Sequence, residues 1–372
     1  MSENADALLT DIAAYAKAEL GPLANTIDQE GLYPDAFLSG LGERGGFAAA
    51  QEPTVGGLGL TLAEQIRVTA AVARECGSTA FLVWCQSSCA WYLKQAMNAE
   101  VREAWLGKVA SGAQRAGTGM SNTVKHLAGI ERINLKAVRE GDGYRVSGSL
   151  PWVSNMGPDH LAIVAAHVED EGYVMFAVPC NSNGLSLHDC PKFSGLEGTR
   201  TLNLRFSDVA IPRTNVLAHP DQFKAYIARI KPGFVLGQIG MGLGLVQASL
   251  KTLRESNASH AHVNRFLDDQ EPALQQELQA LEETTFELAR TAHTNGTVDI
   301  LDVLQARLAA SELSLRAAQS AVLHAGAKGY LMRHPAHRRL REAVFVAIVT
   351  PALKHLRKEI HDLQQARQAQ AA

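Results

Sequence analysis

In the first hundred residues, apolar positions recur every three or four places. ADALLTDIAAYAKAEL and DAFLSGLGERGGF each gather them on one helix face, and Gly45-Gly46 ends the second. PTVGGLGLTLAEQ is a glycine-rich turn in which Thr61 stands at an N-cap, with Glu64 three places on to close a capping box. Helices over LAEQIRVTAAVARECG, TAFLVWCQSSCAWYLKQA and VREAWLGKVASG follow. The period then shortens to two. INLKAVREGDGYRVSGSLPWVSN alternates around Gly141-Asp142-Gly143, a hairpin signature, and HLAIVAAHV, YVMFAVPC, LSLHD and RTLNLRFSDVAI add short strands. From Phe223 the helical period returns in long segments joined by short turns such as Asn295-Gly296, the pattern of antiparallel helices in a bundle. The prediction is an α+β chain in three parts: an N-terminal helical domain over 1–113, a central β domain over 114–218, and a C-terminal helical bundle over 219–372. GTGMSNTVKHLAG, residues 117–129, is read as a loop, and the tail QQARQAQAA as frayed.

Composition removes several function classes. The 372 residues carry 35 Lys+Arg against 38 Asp+Glu, a formal charge of −3, so no net field gathers nucleic acid or an anionic membrane. One stretch, GFVLGQIGMGLGLVQASL (233–250), is free of charge and imitates a membrane span. Gln238 and Gln247 interrupt it, and a buried bundle helix is expected instead. The acidic, amphipathic N-terminus is unlike a secretory signal. Cys76, Cys85, Cys89, Cys180 and Cys190 are odd in number and lack metal or redox spacing, which fits reduced thiols and a cytoplasmic location. HRRLR (337–341) is basic at a helix start and is read as internal salt bridging rather than nucleic-acid contact. His334 and His337 flank Pro335 and are expected at the surface. No zincin pair and no G-x-S-x-G occurs, so metal and serine hydrolase chemistry have no footing.

Five motifs in order resemble the acyl-CoA dehydrogenase superfamily. IDQEGLYPDAFLSGLGERGGFAAAQEPTVGGLGLTLAEQ is similar to its N-terminal Asp and Pro, Gly-ended helix and Pro…Gly-Gly-x-Gly pattern, and VARECGSTAFLV to its next helix. GYRVSGSLPWVSN resembles its Gly-Tyr-x-Val-x-Gly-x-Lys-x-Trp-Ile-Thr-Asn hairpin, and LEGTRTLNLRFSDVAIP its exit strand. AGAKGY with HPAHRRLREA is similar to its C-terminal Gly-Gly-x-Gly-Tyr…Arg-Asp-Ala. These motifs span residues 28–343. The resemblance implies that family's fold: helical domain, central β-barrel or sandwich, and C-terminal four-helix bundle. It also implies a flavin-dependent oxidoreductase.

Residue by residue, the resemblance places Trp152, Val153 and Ser154 against the flavin ring, with Thr118 and Ser121 as hydroxyl partners from the 117–129 segment. The family's Glu-Pro and Ser-Asp elements are missing from that segment. Arg265, Gly326 and Gly329 occupy positions that hold the distal half of the cofactor, although the family's Phe-Gly and Gln neighbours are incomplete there. FAD is the implied cofactor, with FMN or reduced flavin supplied by a reductase as alternatives. A homodimer or homotetramer is implied because the family completes its cofactor site across subunits. The further partners are a small-molecule substrate such as an acyl-CoA, and a flavin reductase or an electron-acceptor flavoprotein.

The expected base is absent. Acyl-CoA dehydrogenation needs a carboxylate near the thioester α-carbon, and such a general base contributes about 10²–10⁴ in rate. Nine residues after Arg341, where the family has glutamate, stands Thr350. The family's other base location reads Ile230-Lys231. Three activities follow: a dehydrogenase with its base elsewhere, a flavin monooxygenase in which polar residues such as His126 surround the oxygen, or a non-catalytic flavoprotein subunit.

Overall fold

The computed structural model describes residues 3–371. Six helices open the chain: α1 (Glu3–Tyr15), α2 (Ala24–Glu30), α3 (Asp35–Glu43), α4 (Leu62–Ala73), α5 (Gly77–Gln95) and α6 (Ala99–Ala110). The expected capping box forms at α4. The Thr61 hydroxyl accepts from the Ala63 N–H at 3.2 Å, and Glu64 accepts from the Thr61 N–H at 3.0 Å.

The strands are β1 (Ala116–Thr118), β2 (Lys136–Glu140), β3 (Gly143–Val153), β4 (Leu161–Val168), β5 (Gly172–Pro179), β6 (Leu185–Asp189), β7 (Leu202–Ile211) and β8 (Val216–Ala218). They form one sheet in the order β6-β7-β3-β2-β4-β5-β8, with β1 pairing parallel to β4. β2 and β3 make the predicted hairpin, Glu140 facing Gly143. The central strands are buried on both faces. Leu161, Ile163 and Ala165 of β4 face the helices, while Ala162, Val164 and Ala166 join a second core with Val174, Phe176 and Val178 of β5. Two covered faces explain why HLAIVAAHV is apolar without alternation.

The segment expected as a loop contains a two-turn helix, α7 (Ser121–Leu127). Seven residues are too few to show a helical period, and the turn is held by tertiary bonds. The Asn122 side chain donates to the Arg132 carbonyl and accepts from the Asn134 N–H, at 2.9 and 2.8 Å.

Helices α8 (Pro220–Asn264), α9 (Glu271–Asn295), α10 (Ile300–Ala325), α11 (Pro335–Ile348) and α12 (Leu353–Ala371) complete the chain. The tail read as frayed continues α12 through Ala371. The charge-free stretch lies within α8, and 89% of its apolar window is buried inside the protein. Its glycines serve packing against α4. A Cβ on Gly240 would sit 2.6 Å from the Ile66 carbonyl oxygen, and one on Gly244 2.3 Å from that of Ala70. The indole N–H groups of Trp84 and Trp91 reach the α8 carbonyls of Phe234 and Ile230, both at 3.2 Å, and so fix the first third of this helix. The basic run at α11 pairs internally, Arg341 with Asp28. His334 and His337 are half-buried rather than at the surface. The His334 ring caps α11 by accepting from the Ala336 N–H at 3.2 Å.

Candidate active site

β3 ends in a distortion. Its register against β7 shifts between Leu150 and Val153, and Trp152 takes a φ of 58°. Asn155, Leu196 and Arg200 are also left-handed, at 62°, 64° and 44°. Such backbone costs about 1–3 kcal/mol per residue and concentrates at functional sites. Here it turns the Trp152 ring outward, 62% exposed, with Phe193 edge-on 6.0 Å from its centre. The Val153 side chain is buried in the sheet core.

Thr118 and Ser154 are brought together by a glycine. A Cβ on Gly117 would lie 2.2 Å from the Ser154 carbonyl oxygen, so only glycine lets β1 pass this close. The Ser154 hydroxyl shares a hydrogen bond with that of Thr201 at 2.6 Å, and the Thr118 hydroxyl one with that of Tyr92 at 3.2 Å. Each keeps spare donor or acceptor capacity. Asn155 fastens this corner to the N-terminal helices. It accepts from the Tyr33 hydroxyl at 2.6 Å and donates to the Ala116 carbonyl at 2.7 Å.

At the start of α7, the Ser121 and Thr350 hydroxyls lie 2.7 Å apart. A buried chain supports Thr350. The Gln238 amide of α8 donates to the Thr350 carbonyl at 2.8 Å, and its oxygen accepts from Arg307 Nε at 2.9 Å. Arg307, fully buried, also donates to Ser311 and to the Val346 carbonyl. Burial alone lowers its guanidinium to about 9. His126 is engaged at both nitrogens, Nδ1 3.0 Å from the Glu131 carbonyl and Nε2 2.8 Å from the Tyr173 hydroxyl. A carbonyl only accepts, so Nδ1 donates to Glu131. In this placement His126 ties α7 to β5. Arg265 and the pair Gly326 and Gly329 belong to the C-terminal ends of α8 and α10, and the Arg265 guanidinium lies over the neighbouring Phe266 ring.

Beside this group is a cavity of about 110 Å³. Tyr92, Met120, Val124, Ile230 and Phe234 supply apolar wall, and Lys231 and Glu359 line it as an ion pair. The pair is absent from the candidates that sequence reasoning raised. His355 and Glu359, one helical turn apart, were visible as a spacing on α12, but Lys231 lies 128 residues earlier and only the fold brings it there. Burial pushes the Glu359 carboxyl up. His355, with Nε2 3.4 Å from the carboxylate, and Lys231 outweigh that and hold it at about 2. The stability this carboxylate adds is therefore complete above the ordinary range near 4.5 and is lost as pH falls toward 2. In acid titrations followed by circular dichroism, the wild type is expected to lead E359Q near neutrality and to lose that lead as pH approaches 2.

The donor set suits the ring end of a flavin: a flat indole, paired hydroxyls for the polar edge, and a close-packed glycine strand. Among the described residues no group of three His, Cys, Asp or Glu side chains is placed to hold a metal ion.

Comparison with known proteins agrees. Residues 2–113 match the family described as acyl-CoA dehydrogenase, N-terminal domain. The human mitochondrial short-chain specific acyl-CoA dehydrogenase is 27% identical over 357 residues, covering 92% of this chain and 85% of that protein. The short-chain specific acyl-CoA dehydrogenase of Clostridium acetobutylicum is 21% identical over 348 residues, covering 91% of each. The structure of butyryl-CoA dehydrogenase from Megasphaera elsdenii superposes with a TM-score of 0.88 at 19% identity, covering 98% of this chain and 99% of that one. Motif order, helix–sheet–helix architecture and these likenesses converge: residues 2–113 match the acyl-CoA dehydrogenase N-terminal domain, and the whole chain has the acyl-CoA dehydrogenase fold.

Proposed function

We propose that the protein is a flavin-dependent oxidoreductase acting on a short acyl group carried as a thioester. The cavity carries this reading. At about 110 Å³ it is small, and it borders the segment bearing Thr118 and Ser121. The named relatives, short-chain and butyryl-CoA enzymes, point the same way. When bound, FAD supplies the hydride acceptor. Trp152 offers the ring a flat face, and Thr118 and Ser154 offer its polar edge hydroxyl donors and acceptors. Val153 contributes backbone only. Tyr92, Met120 and Phe234 shield the acyl chain from water. Arg265, Gly326 and Gly329 are assigned to the distal half of the cofactor, in a homodimer or homotetramer whose electrons pass to an acceptor flavoprotein.

A second reading, a monooxygenase working with a flavin reductase, is favoured by the hydroxyl pair. Ser121 and Thr350 offer hydrogen bonds to an oxygen substrate, whereas neither hydroxyl titrates low enough to take a proton from carbon.

One experiment separates the two. FAD-loaded protein is mixed anaerobically with butyryl-CoA and with butyryl-pantetheine, and flavin absorbance is followed. Bleaching supports dehydrogenation. No bleaching, together with thioester-dependent incorporation of labelled oxygen once the flavin is reduced and air admitted, supports the monooxygenase. Neither signal with any short thioester overturns the proposal.

A further inference from the structure

The acyl cavity is not uniformly apolar. Lys231 of α8 and Glu359 of α12 both line it, and each remains partly accessible, at 28% and 19% of its side-chain surface. A pocket built for plain hydrocarbon gains nothing from such a pair, because an incoming methyl group strips water from both charges and returns no hydrogen bond.

We infer that the Lys231–Glu359 pair makes the cavity selective for a short acyl chain bearing a neutral hydroxyl-type group, one that both donates and accepts a hydrogen bond. This inference rests on the thioester reading above and names its substrate class.

The chemistry of the pair selects among polar ends. The Lys231 ammonium has three N–H donors and spends one on Glu359 Oε1. The second carboxylate oxygen has only the 3.4 Å approach of His355 Nε2. A hydroxyl can therefore accept from Lys231 while donating to Glu359, and the pair stays intact. A carboxylate on the substrate would be repelled by Glu359, and an ammonium by Lys231, each close to the charge it opposes. The pair is neutral as a whole, so a neutral dipole is its best complement. Because Lys231 and His355 hold the Glu359 carboxyl at about 2, it stays ionised across the working range as an acceptor and makes a poor proton-abstracting base.

The test uses flavin-loaded protein and two thioethers, S-butyl-pantetheine and S-(4-hydroxybutyl)-pantetheine. Both keep the chain length and, lacking the thioester carbonyl, do not enter the acyl reaction. Titration calorimetry is expected to show the hydroxylated compound binding about tenfold tighter or better, the value of a hydrogen bond to charged partners. In the double variant K231M/E359L, in which hydrocarbon of similar length replaces the pair, that preference is expected to vanish and the butyl compound to gain. If the wild type binds the butyl compound as well as or better than the hydroxylated one, the inference falls while the thioester reading stands. If it binds neither, both fall. The wild-type comparison decides the matter even if the double variant fails to fold.

Discussion

Replacing Thr350 with glutamate is expected to raise the anaerobic rate of flavin reduction by butyryl-CoA by about 10²–10⁴-fold, the range a positioned general base contributes. The side chain at 350 is nearly buried, meets Ser121 at 2.7 Å and is oriented by the Gln238 hydrogen bond to its own carbonyl. A carboxylate in such surroundings loses hydration, which lifts its proton affinity toward the value useful for carbon-acid chemistry. Stopped-flow absorbance of wild type, T350E and T350Q checks the result. T350Q adds the same bulk without a base, so equal rates for the two variants would mean that the α-carbon does not lie over residue 350.

The second large effect is expected at Arg307. Arg307→Ala should cost about 3–5 kcal/mol of stability, from a large cavity together with the orphaned acceptors on Gln238 and Val346. No acidic group answers this cation among the described residues, and its depressed titration has burial as its one cause. Arg307→Met removes the desolvated charge and keeps most of the volume, so its loss should be the smaller. Urea denaturation of the three proteins gives the comparison. A loss below about 1 kcal/mol in R307A would mean that the network contributes nothing net. Because Gln238 links Arg307 to Thr350, R307A should also reduce the rate gained in T350E.

The features visible in the sequence are those whose partners are close along the chain. The Thr61–Glu64 cap spans three residues, the β2–β3 hairpin turns on Gly141-Asp142-Gly143, and the glycines of α8 carry their packing role in their own spacing. The family motifs made the order of helices, sheet and helices legible. The chemistry of the cavity was not. Lys231 entered the sequence reading only at the family's other base location and Glu359 not at all, and only the packing of α8 beside α12 turns them into a pair. Arg307 looked like any helix-forming arginine, since nothing local shows that all its partners are uncharged. The short helix α7 was missed for a related reason: its bonds to Arg132 and Asn134 lie outside the helix.

Lys231 and Gln238 stand seven residues apart on α8, two turns or about 10 Å along one face. The first lines the cavity and the second holds Thr350, so one helix, tied by Trp84 and Trp91, sets the span between the charged wall and the hydroxyl pair. Ile227 and Phe234, about one helical turn before and after Lys231, line the same cavity. On the proposed thioester reading, acyl length is graduated in helical turns. Moving the lysine to 227 or 234 resets the gauge by about 5 Å, roughly four carbons of chain, without touching a loop.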